Sequence, residues 1–90
     1  MLRLKPSEQS PVFLTFDGEV LEVFWGDKSN RVHVSQLKDA QINTDRRGNY
    51  TLVIKTVVGQ IPYHPVDEQN YAKATEMVAE IQKVMATFRF

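Results

Sequence analysis

The chain has 90 residues, 11 Lys+Arg balanced by 11 Asp+Glu, two histidines and no cysteine. That length allows one domain, and the cysteine count excludes a disulfide framework, a thiolate metal site and a cysteine nucleophile. The zero net charge removes any general attraction to nucleic acid or anionic lipid, and an apolar fraction of 42% is that of a folded chain.

Residues 1–11 read as a lead-in. Leu2 and Leu4 alternate with Arg3 and Lys5, which suits a short edge strand, and a polar stretch between Pro6 and Pro11 follows. No apolar run approaches a membrane span, and the N-terminus lacks the apolar stretch of a secretory signal. The expected compartment is the cytoplasm.

Residues 12–66 read as antiparallel sheet. Val12, Leu14 and Phe16 share one strand face. Asp17-Gly18 then suggests a tight hairpin of type I′, which needs positive φ at both central residues. The return strand, 19–25, carries apolar residues on both faces near its end. Residues 26–30 read as a loop by composition. Alternation returns at 31–35 and again at Ala40, Ile42 and Thr44, as two short strands with a kink or one strand with a bulge near Leu37. Residues 45–49 form the next turn, 50–58 the clearest strand and 61–64 a last short strand, whose Pro62 marks it as an edge.

Residues 67–90 have helical period. Asp67 is the expected N-cap and Glu68 suits the first turn. Tyr71, Ala74, Val78, Ile81, Met85 and Phe88 recur at gaps of three and four, widened by Met77 and Val84. The expected fold is α+β: an antiparallel curved sheet or partial barrel of about five to six strands, capped by one C-terminal helix that covers the sheet's concave face.

The hairpin Phe16-Asp17-Gly18-Glu19-Val20, the stretch Arg31-Val32-His33-Val34-Ser35-Gln36-Leu37, the strand Tyr50-Thr51-Leu52-Val53-Ile54 and the closing helix together resemble small bacterial pleckstrin-homology-like domains, over roughly residues 12–88. The resemblance implies a phosphoinositide headgroup held by basic residues around the first hairpin. Here that hairpin offers Asp17 and Glu19 and no base, which argues against inositol phosphates because phosphate recognition needs Arg or Lys donors.

The chemistry-bearing residues are few. His33 and His64, with Ser29, Ser35, Asp39 or Asp67, fall in no motif that fixes a catalytic or metal-binding geometry, and both read as surface or capping histidines. No glycine turn precedes a helix as a phosphate cradle does. No enzyme activity, cofactor or metal is expected. Lys28, Arg31, Arg46 and Arg47 are the candidate surface for a ligand or partner. An anionic ligand or nucleic acid at these four is the alternative function, weakened for nucleic acid by the neutral charge. The favoured reading is a non-enzymatic interaction or scaffold module that binds a protein partner or itself. Open sheet edges attract strands, and Phe88 and Phe90 are the candidate residues for self-association into a homodimer.

Overall fold

The computed structural model describes residues 1–57 and 59–87, without the side chains of residues 60–63. Phe88 and Phe90 lie outside the described residues. The chain is α+β, and the described residues form seven strands in two open antiparallel sheets and one C-terminal helix. The first sheet has the order β1-β2-β3-β4, from Leu2–Leu4, Val12–Phe16, Val20–Trp25 and Lys28–His33. The second has the order β5-β6-β7, from Leu37–Thr44, Tyr50–Thr56 and Gly59–Val66. Helix α1 spans Tyr71–Thr87. The single curved sheet of five to six strands is thus corrected to two sheets, which do not close into a barrel. The meander within each sheet is as expected.

The first sheet forms because its strands alternate. Val12, Leu14 and Phe16 are buried, opposite Trp25, Val23 and Leu21 of β3. Strand β1 is real: Leu2 faces Phe16 and Leu4 faces Leu14. Trp25 is half-buried and packs against this core. In the second sheet β6 is central, and Leu52, Val53 and Ile54 are all buried, as a strand covered on both faces requires.

Two hairpins differ from the sequence reading. Asp17 does not take positive φ, so Asp17-Gly18 is not a two-residue turn. Phe16 pairs with Leu21 across a wider loop, organised by the Asp17 carboxylate, which accepts the N–H groups of Glu19 and Val20 at 2.8 Å. The tight hairpin is the next one. Trp25 faces Lys28 across Gly26-Asp27, with Gly26 at φ +64° and Asp27 at negative φ, which matches the glycine-first two-residue turn. Lys28, Ser29 and Asn30 therefore belong to β4 and not to a loop.

Between β4 and β5 lies one 3-10 turn, Val34–Gln36, and the β5–β6 register shifts between Leu37 and Asp39. Both the kink and the bulge exist. Strand β7 is longer than read and passes through Pro62 and Pro65, which a sheet edge tolerates.

The lead-in is held in place. Pro6 and Ser7 are buried. The Pro6 carbonyl accepts the Asp67 N–H at 2.8 Å and the Asn70 amide at 3.3 Å. The Asp67 carboxylate, read as a helix cap, instead accepts the Glu8 N–H at 2.8 Å. A 3-10 turn at Glu68–Asn70 precedes α1, and Asp67 makes no side-chain cap bond to it. From α1, Ala74, Met77, Val78, Ile81 and Met85 are buried in the common core. The helix packs against β5 and β1, so it covers the opening between the two sheets. Among the described residues, no helix is long and apolar enough to cross a membrane.

Candidate functional site

Strand β4 is one edge of the first sheet. Its register with β3 is unbroken from Val20 opposite His33 to Trp25 opposite Lys28. Lys28, Ser29, Asn30 and Arg31 are all exposed, so no other element covers them. Residues that flank a two-residue turn exchange their backbone bonds, and the direction alternates along the strand. Lys28, Asn30 and Val32 thus turn their N–H and C=O groups toward β3. The Val34 N–H, in phase with them, donates to the Glu19 carbonyl at 2.7 Å. Ser29 and Arg31 turn theirs to the open edge.

The other sheet edges that meet α1 are treated differently. The Gln82 side chain donates to the Ala40 carbonyl on β5 at 2.7 Å, and the helix lies along β1.

The four candidate basic residues fall into two groups. Lys28 and Arg31 are an odd number apart on one strand, so their side chains leave opposite faces. Arg31 stands beside Glu22, Nε to Oε1 3.9 Å. That pair is largely exposed and contributes little to stability. Arg46 and Arg47 lie in the β5–β6 turn of the other sheet. Asp45 organises this turn by accepting the N–H groups of Arg47 at 2.8 Å and Asn49 at 2.9 Å. The Asn49 bond is the main reason the Asp45 carboxyl is held below its usual range. Gly48 completes the turn at φ +82°, where an L side chain is strained. Gly48→Val is expected to lower stability by about 1–3 kcal/mol, read as a lower urea midpoint with unchanged slope.

The face of the first sheet turned away from the core carries an aromatic pair. Phe13 and Phe24 sit opposite each other with ring centroids 6.1 Å apart, beside the Glu22–Arg31 pair. At the far end of β4, His33 is exposed, and its Nδ1 accepts the Ser35 N–H at 3.1 Å. His33 is thus the capping surface histidine the sequence suggested.

His64 is not. It is 9% exposed, and burial holds its pKa below the ordinary value. It sits opposite Leu52, on the core side of β7. The sequence signal was hidden by a register shift between Leu52 and Ile54, which breaks the alternation that would have assigned its face. Among the described residues, no three His, Cys, Asp or Glu side chains are grouped to hold a metal ion.

No family model matches the chain, and no curated protein matches it significantly. The arrangement of four strands, three strands and a C-terminal helix is compatible with the pleckstrin-homology-like pattern.

Proposed function

We propose that this chain is a small non-catalytic interaction module of the pleckstrin-homology-like type, and that its contact element is the β4 edge. The observation that carries this reading is the edge itself: an unbroken six-residue strand, exposed over its first four residues, with the backbone groups of Ser29 and Arg31 directed outward. Such an edge accepts another strand.

The occupant best matched to it is a second copy of the chain. Opposed residues in an antiparallel pair share a face, so only residues of equal parity meet. Pairing centred on Asn30 sets Asn30 against its copy, Ser29 against Arg31 and Lys28 against Val32. No like charges are opposed, whereas a shift that centres the pair on Arg31 sets two guanidinium groups face to face. The sequence of β4 therefore disfavours the Arg31-centred register, and the Asn30-centred dimer has one continuous eight-stranded sheet.

A six-residue edge buries far less than the ~1,200–2,000 Å² of a stable interface, so the association is weak. Sedimentation equilibrium up to about 1 mM protein, the range where weak contacts populate, is expected to show a mass rising above the 10.4 kDa monomer. Arg31→Pro removes one outward N–H without touching a β3–β4 bond, since proline is tolerated on edges, and is expected to abolish the rise. A monomer throughout, or association unchanged in a folded Arg31→Pro variant, overturns self-pairing along β4.

A further inference from the structure

We propose that His64 is an acid-sensitive latch: a second proton on its ring detaches β7 from the core and loosens the strand–helix junction that follows it. The inference rests on geometry and is independent of the β4 edge. The His64 side chain is buried on the core side of β7, and its Nε2 is inaccessible and has no hydrogen-bond partner. A buried polar group without a partner is uncommon in a stable fold. The neutral ring tolerates it, while a protonated ring needs a counter-charge or water.

Neither is at hand. Among the described residues the buried polar ones are Ser7, Thr56 and His64, with no acid among them to supply the counter-charge. Among the described residues, the titratable group on the core side of β6, the strand paired with β7, is Tyr50, which packs edge to face on Tyr71 of α1 at 4.2 Å; Lys28 of β4 is exposed. Lys55 of β6 lies on the opposite face, Glu80 of α1 is half-buried, and the following acid in the chain, Asp67, has its carboxylate bonded to the Glu8 N–H. The imidazole pKa is lowered by burial alone, with no charge opposing it.

The sign follows. In an opened chain the ring titrates near pH 6.5, and in the closed fold it titrates lower. The open state therefore binds more protons between those two values. Stability is complete above about pH 6.5, falls as the pH drops through the window below it, and levels off once both states are protonated. Within that window the opened population rises by up to about tenfold per pH unit. Opening at β7 also disturbs the adjoining Pro6–Asp67 bond, so the residues expected to respond together are those of β7, residues 6–8 and the start of α1.

The test is NMR titration of the two histidine ring C–H signals, with amide exchange measured across the same pH range. His64 is expected to titrate below the ordinary histidine value of about 6.5, and exchange in β7 and residues 6–8, corrected for the intrinsic pH dependence, to accelerate as pH falls below that value. His64→Leu is expected to remove that acceleration and His33→Ala to keep it. A His64 titration at or above about pH 6.5, or an acceleration that persists in His64→Leu, overturns the proposal. If the leucine variant does not fold, the His64 ring titration together with the amide exchange of the unaltered protein decides it.

Discussion

Phe16→Ala is expected to lower the unfolding free energy by about 3–5 kcal/mol, the range for truncating a buried aromatic. Phe16 is almost completely buried at the centre of the first sheet's core face, with Leu21 opposite it on β3 and Leu2 on β1. It belongs to the same core as Met77 and Ile81 of the helix. Its removal takes apolar area out of the core and leaves a space that neighbours on two sheets and a helix cannot all close. A domain of this length has a total stability of roughly 5–13 kcal/mol, so one truncation removes a large share of it. Urea unfolding followed by circular dichroism should show a midpoint reduced by roughly a quarter or more with little change in slope. Phe13→Ala makes the matched comparison. Phe13 occupies the same strand but points away from the core and is only half-buried, so its loss should be clearly smaller. Equal losses at the two positions would mean that the outer face is as closely packed as the core.

The contrast between these two phenylalanines shows what the sequence could reveal. Where a strand is buried on one face, its burial pattern is its sequence pattern, and β2 and β3 were legible for that reason. The helix was legible too, because Ala74, Met77, Val78, Ile81 and Met85 form a stripe only at helical period. Strand β4 was half hidden. It is an edge with exposed residues at 28–31, so nothing selects for alternation there, and Lys28-Ser29-Asn30 has the composition of a turn. The element that carries the functional proposal was thus the one whose sequence said least.

Non-local bonds were invisible for a different reason. Asp67 has every local property of a helix cap, but its carboxylate is taken by the N–H of Glu8, 59 positions earlier. Local preference supplies only about 1 kcal/mol at a cap, and the packing of the lead-in against the strand–helix junction outweighs it. Pro6 and Ser7 show the same effect: a polar, proline-bounded stretch reads as loose, yet both are buried. The strand number follows from β1, which the pattern only suggested, and from the kink at Val34–Gln36, one of the two alternatives the pattern left open, which separates β4 from β5.

The helix supplies the second large expected effect. Ala74 is fully buried where α1 meets the sheets, and its small side chain allows the helix backbone to come close. Ala74→Asp is expected to destabilise the fold by about 3–5 kcal/mol, the range found when a buried charge has no partner. Two terms act in the same direction. The larger side chain overpacks the contact, at about 1–3 kcal/mol, and the carboxylate must either lose its hydration or take up a proton. Among the described residues no Lys or Arg side chain is buried to meet it. Ala79→Asp isolates these terms from helix propensity. Ala79 lies on the exposed side of the same helix, so its substitution should cost only the ~0.6 kcal/mol by which Asp is the poorer helix former. The pH dependence gives a second check. A carboxyl forced into the core has its folded pKa raised, so the destabilisation of Ala74→Asp relative to Ala79→Asp should shrink as the pH is lowered. That trend is opposite in sign to the one expected for His64, and the paired comparison cancels the histidine's contribution. Urea melts of both variants at pH 7 and at pH 5 measure the difference. If the two alanine positions tolerate aspartate equally, the helix does not cover the opening between the sheets, and the core described above has the wrong lid.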